Sequence, residues 1–173
     1  MRGNGRITIQ CGCCYNFTRD KQGNHPKILR QDEVDPLPPT IKWEIKRMVK
    51  WSVLPVDCIP NSYIINIYEE RDSIPSHIDH HDFVRPFCTV LLMSKSDILF
   101  EKEIDVVGLD EFRGSIAILL QVGLILILKG NKANLVKQNI PGVPRCRVSI
   151  TLRRMDDNKM LYELRPDPEL EEI

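Results

Sequence analysis

What most limits the fold of this chain is its punctuation: apolar stretches of strand length, separated by glycine, asparagine, proline or polar turns. Tyr63 to Tyr68, Phe87 to Met93, Asp97 to Phe100, Ser115 to Leu120, Leu124 to Leu128 and Arg147 to Arg153 have this form, with Gly114, Gly123 and Gly130-Asn131 among the breaks. Ile7 to Gln10 and Cys14 to Phe17 read as a further strand pair, followed by a polar, turn-rich segment from Asp20 to Asn24. Helical spacing is clear once. Ile41, Ile45, Met48, Val49 and Val53 recur behind Pro36-Leu37-Pro38-Pro39, with Thr40 placed as an N-cap. Many short strands beside about one long helix predict a mainly β sandwich or barrel.

At 173 residues and 42% hydrophobic content the chain suits one domain with a real core. Lys and Arg number 24, as do Asp and Glu, so bulk charge neither favours nor excludes a nucleic-acid partner; such a partner needs a local basic patch. Lys42, Lys46, Arg47 and Lys50 form one candidate, for which a solvated helix face is the favoured reading. Arg145, Arg147, Arg153 and Arg154 form another. No apolar run of about 18 residues marks a membrane span, and residues 1–6 lack the apolar region of a secretory signal. The six cysteines are therefore expected as reduced thiols of an intracellular protein, in cytoplasm or nucleus. Cys11-Gly12-Cys13-Cys14 is too crowded for an ordinary zinc knuckle, and Asn16-Phe17-Thr18 carries little meaning as a glycosylation sequon in such a compartment.

The candidate chemistry begins at His77-Ile78-Asp79. On an extended segment residues i and i+2 share a face, so an imidazole and a carboxylate can reach one ion. Iron(II) oxygenases use such a pair with a second imidazole and leave three positions open. His80, His81 and Asp82 follow at once, so a polar surface turn is the competing reading.

Arg147, Ser149, Thr151 and Arg153 alternate with Val148, Ile150 and Leu152. One face of that strand is polar, with a guanidinium near each end. It either looks at water or grips a small dicarboxylate through bidentate forks. Asn66 and Tyr68 likewise share a face opposite Ile65 and Ile67, and both side chains can donate hydrogen bonds to a keto acid.

Three segments carry a specific resemblance: Ile64 to Tyr68, His77 to Cys88, and Val148 to Met155. With Gly12 to Phe17 and Val34 to Pro38, they resemble the AlkB-like RNA demethylases over nearly the whole chain. The likeness is nearest to the plant branch that removes N6-methyl groups from adenosine in mRNA. It implies a double-stranded β-helix (jelly-roll) dioxygenase core over residues 1–155 and a polar C-terminal tail over 156–173. It implies iron(II) and 2-oxoglutarate as cofactors, with His77 and Asp79 as metal ligands and Asn66, Tyr68, Arg147 and Arg153 as 2-oxoglutarate contacts. His81, Phe83 and Arg85 match the substrate-side loop, and the partner implied is single-stranded RNA bound by a monomer. Members usually carry more sequence before the point where this chain begins, so part of the nucleotide-recognition region is expected to lie outside it.

One residue departs from the pattern. About nine residues before the first arginine, where the family places the distal histidine, this chain has Gln138. A neutral amide oxygen is a poorer iron(II) donor than imidazole. His81, two strand pairs from His77 at ~3.3 Å per residue, is too far to replace it, and His25 cannot be placed. Three readings therefore stay open: an active demethylase that unstacks its base against Phe83 or Tyr15, a silent pseudo-enzyme that keeps an RNA surface, and an interaction module whose His/Asp segment is structural.

Overall fold

A computed structural model describes residues 5–14, 35–101, 105–108, 111–113, 116–160 and 167–171. Eleven strands run through them in the order β1 (Ile7–Gly12), β2 (Ser62–Tyr68), β3 (Ile74–His77), β4 (Phe83–Leu92), β5 (Ser96–Glu101), β6 (Asp105–Gly108), β7 (Glu111–Arg113), β8 (Ile116–Leu120), β9 (Ile125–Leu128), β10 (Lys137–Ile140) and β11 (Arg147–Met155). The long helix α1 (Pro39–Lys50) lies between β1 and β2, and a single turn, α2 (Pro168–Glu171), follows β11. The strands form a five-stranded sheet ordered β1-β2-β11-β4-β9, a four-stranded sheet ordered β3-β10-β5-β8, and a β6-β7 pair. The expected mainly β jelly-roll class with one supporting helix is what the chain adopts. Cys14 to Phe17, apart from Cys14 itself, and the 20–24 turn, Tyr15 and His25 lie outside the described residues.

Contacts divide the chain into two compact units. The first comprises Met1–Ile9, Ile64–His81 and Phe87–Thr151 and contains the whole four-stranded sheet. Its core gathers Tyr68, Ile74, Leu91, Ile98, Leu120, Ile140 and Val143, with Phe100 and Leu126 packed against them. Each aliphatic side chain so buried stabilises by roughly 1.5–3 kcal/mol. Pairing β10 to β5 sets Gln138 opposite Phe100, and pairing β10 to β3 sets Gln138 opposite His77, with a register shift before Ile140 meets Ile74. Pro75 cannot donate to a ladder on both sides, and β3 accordingly lies at the sheet's edge.

The second unit comprises Gln10–Tyr63, Asp82–Pro86 and Leu152–Ile173. Here α1 buries Ile41, Ile45, Met48 and Val49. Its N-cap is Pro38, without a side-chain cap, and Thr40 lies inside the first turn. Pro39 takes the first helical position, where its fixed φ suits the helix and its missing N–H costs nothing. The helix stops at Lys50, before Val53, because Ser52 turns to φ 56° and the Val53 N–H bonds back to the Met48 carbonyl at 2.8 Å. α2 buries Leu170, and Lys42 Nζ reaches Asp167 at 2.8 Å and Glu169 at 3.0 Å. Gly12, at φ 73°, is required: a Cβ there would collide with the Asn61 carbonyl oxygen. None of the six cysteines is in a disulfide, and all but Cys146 are buried. Burial pushes the Cys13 thiol up to about 11 and the Cys14 thiol up to about 12, the nearby Arg153 charge offsetting only part of it. Such thiols are poor nucleophiles.

Candidate active site

The strand β11 settles which of its faces is inside. Arg147, Ser149 and Arg153 are buried and Thr151 is half-buried, whereas on the other face Val148 and Ile150 are half-buried and only Leu152 is buried. A polar face turned inward has to be satisfied by something other than water.

Within the first unit, Arg147 is fully buried, its guanidinium 4.6 Å from the centre of the Tyr68 ring. Among the described residues none of its three guanidinium nitrogens has a hydrogen-bond partner. Burial lowers its pKa from the ordinary arginine value, and the Tyr68 phenol works against that shift. Guanidinium nevertheless stays protonated in proteins, so the site holds a dry positive charge with its donors unspent. Burial raises the Tyr68 pKa, while Arg147, Arg6 and the Ser149 hydroxyl pull it back. Arg147 and Ser149 act on the phenol by proximity, since neither reaches its oxygen in hydrogen-bonding geometry. Asn66, also buried, accepts at Oδ1 from Arg6 Nε at 2.8 Å and from the Thr8 hydroxyl at 2.9 Å. These two contacts were not foreseen from sequence, where Arg6 and Thr8 read as ordinary positions at the start of a strand.

His77, Asp79 and Gln138 also meet in the first unit. His77 Nδ1 lies 2.8 Å from the Pro75 carbonyl, which fixes the tautomer: Nδ1 carries the hydrogen and Nε2 keeps its lone pair. The Gln138 amide nitrogen lies 2.5 Å from Asp79 Oδ2 and 3.5 Å from His77 Nε2. A carboxylate and an imidazole lone pair are both acceptors, so the NH2 end, not the carbonyl, must face them. The amide therefore offers hydrogens to the two atoms that would bind a cation, and its oxygen points elsewhere. Among the described residues no three His, Cys, Asp or Glu side chains gather as a metal site. The open donors of Arg147 would suit an anion, and His77, Asp79 and the Gln138 amide do not make up a three-ligand iron site among the described residues.

The other expected residues lie apart from these. His81 is exposed in the first unit. In the second, Phe83 is buried and opens β4, so residues 83–87 are strand and not loop. Arg153 packs its guanidinium 3.9 Å from the Phe83 ring centre and donates to the Ser62 hydroxyl at 3.2 Å. Arg85 donates to the Phe83 carbonyl at 3.3 Å, and its bond to Pro86 is cis.

Among solved structures the chain is similar to that of OsALKBH1, with a TM-score of 0.55 at 15% identity, covering 89% of this chain and 82% of that one. The two share a fold. By sequence it is 51% identical over 173 residues to RNA demethylase ALKBH9B of Arabidopsis thaliana, a match covering 100% of this chain and 34% of that protein. RNA demethylase ALKBH10B of the same plant is 26% identical over 155 residues, 90% of this chain and 27% of that protein. Over nearly its whole length the chain is thus similar to these two plant relatives. It spans about a third of the length of the first and about a quarter of the second. No family model matches it. Among the described residues no helix is long and apolar enough to cross a membrane.

Proposed function

We propose that this chain is a dicarboxylate-binding member of the RNA demethylases, acting on single-stranded mRNA to remove N6-methyl groups from adenosine, with turnover impaired by Gln138. The observation that carries the dicarboxylate reading is Arg147: a fully buried guanidinium with no hydrogen-bond partner is what an anion-binding site looks like before its anion arrives. In this reading Arg147 takes one carboxylate of 2-oxoglutarate, Tyr68 shields that ion pair from water, and Asn66 offers its remaining amide hydrogens to the keto acid. When bound, 2-oxoglutarate supplies the electrons for oxidation as it loses carbon dioxide. Arg153 stays a proposed carboxylate ligand on sequence grounds. His81 and Arg85 remain proposed substrate-side residues, and Phe83 keeps that role as the buried support beneath Arg153. Five buried cysteines outside any disulfide suit a reducing compartment, cytoplasm or nucleus.

His77 and Asp79 keep the ligand types that iron(II) needs, and the Gln138 amide is turned against a cation at that position. That geometry favours the second reading, a catalytically silent RNA-binding relative. The test is mass-spectrometric loss of N6-methyladenosine from a short single-stranded RNA with iron(II), 2-oxoglutarate and ascorbate, wild type beside Gln138→His. The proposal expects weak or no turnover in wild type and a gain in the variant. Full wild-type turnover would remove the impairment, and silence in both would leave the binding reading.

A further inference from the structure

The chain has two tryptophans, and both stand on the outer side of α1 and its cap. Trp43 is 58% exposed and Trp51 is 71% exposed. They are eight residues apart with Arg47 midway, so the three form a column of ~12 Å on one helix face at 1.5 Å per residue. The Arg47 guanidinium lies 4.6 Å from the centre of the Trp43 ring. Lys46 and Lys50 flank this column, and the helix packs by other residues, Ile41, Ile45, Met48 and Val49.

Helix chemistry accounts for part of this. Arg47 and Lys50 in the last turn complement the negative end of the helix dipole. That explains two charges and neither indole, because an indole left in water adds nothing to folding. Charge balance narrows the partner. Lys42 is already held by Asp167 and Glu169, and Glu44 takes up part of Arg47 at 3.3 Å. Among the described residues Lys46, Arg47 and Lys50 therefore face one carboxylate, a local positive excess on a chain whose charges otherwise cancel. Protein interfaces favour Trp and Arg but are depleted in Lys. Stacking planes interleaved with lysines suit an unpaired polynucleotide, whose bases lie on the rings while its phosphates meet the cations.

We propose that the outer face of α1, centred on Trp43, Arg47 and Trp51, is a docking platform for single-stranded RNA, separate from the residues around Arg147 and His77. It rests on the RNA reading above for its choice of partner and on nothing in the pocket. It holds the strand without regard to methylation, and it puts an exposed stacking surface where Phe83, being buried, offers none.

Because both tryptophans belong to the platform, their intrinsic fluorescence reports it directly. The experiment titrates the 173-residue chain with a ten-nucleotide oligouridylate, which has no N6 position and so cannot engage a demethylase pocket as substrate. The expected result is saturable quenching whose affinity falls with salt by ~0.7 log units per log unit of salt for each phosphate neutralised. Trp43→Ala and Trp51→Ala each weaken binding by roughly 5- to 100-fold, read by polarisation of a labelled oligonucleotide. Lys46→Glu with Lys50→Glu weakens binding and flattens the salt slope, while circular dichroism stays that of the wild type. Gln138→His leaves the titration unchanged, so a failed demethylation assay and a failed platform give different patterns. Absence of quenching at about 100 μM oligonucleotide in low salt would overturn the proposal. So would binding that survives both sets of substitutions, or a salt-independent preference for peptides.

Discussion

Gln138 stands directly across from His77 in the antiparallel pairing of β10 with β3, its amide nitrogen 3.5 Å from the imidazole Nε2. A residue in that register reaches the atoms that would bind a cation, and here it reaches them with hydrogens. Metal affinity should follow. Cobalt(II) titrated into wild type and watched by visible absorption should give weak binding, and Gln138→His should bind roughly 100-fold more tightly, a difference of about 2.7 kcal/mol. Equal affinities would show that the amide rotates freely to present its oxygen.

The same contact should stabilise the chain without metal. Gln138→Leu takes away the side-chain donor that the described residues give to Asp79 Oδ2, a half-buried carboxylate. Urea unfolding should show a loss of about 1 kcal/mol, near the low end for hydrogen bonds to charged groups because solvent shares the site. No change in midpoint would mean water substitutes fully for the amide.

Arg147→Met should divide stability from binding. Removing a buried charge that has no ion-pair partner releases its desolvation cost, while the lost contact with the Tyr68 ring acts the other way. The net change in unfolding free energy should stay within about 1 kcal/mol. Addition of 2-oxoglutarate should raise the melting temperature of wild type, by the equivalent of about 2.7 kcal/mol at a hundred times its dissociation constant, and leave the variant unmoved. A large destabilisation of the variant without ligand would mean the arginine is structural.

Thiol chemistry gives a test of burial. At pH 8 a thiol reagent should titrate Cys146 quickly in the native chain and reach all six cysteines only in denaturant. Because Cys13 and Cys14 are protonated more tightly when folded, their contribution to stability is full below the ordinary thiol pKa of 9.0. It is lost as pH rises from there towards about 11 and 12. Alkaline unfolding should set in above pH 9, and rapid native labelling of several thiols would contradict it.

The elements legible in the sequence were those whose side chains pack by their own pattern. β2, β5, β8, β9 and β11 fall within a few residues of their apolar stretches, and the buried stripe of α1 matches four of its five expected positions. β10 was not legible as a strand. Lys137-Gln138-Asn139-Ile140 has poor strand propensity and is held extended by β3 on one side and β5 on the other, a tertiary constraint no local reading sees. β3 hid behind Pro75, which only an edge position permits. At the site, strand alternation put Arg147, Ser149 and Arg153 on one face, and only the fold could say that this face looks inward. The direction of the Gln138 amide and the Arg6 and Thr8 contacts to Asn66 depend on distances between strands far apart in sequence, which residue types alone do not carry.

The pairing of residue 138 with His77 also has a genetic consequence. Glutamine and histidine codons differ only in their third base, so a single-nucleotide change at this position moves the chain between an amide donor and an imidazole ligand. With the backbone register already set and His77 and Asp79 in place, a population can lose or regain the proposed ligand set here in one mutational step, without any intermediate form.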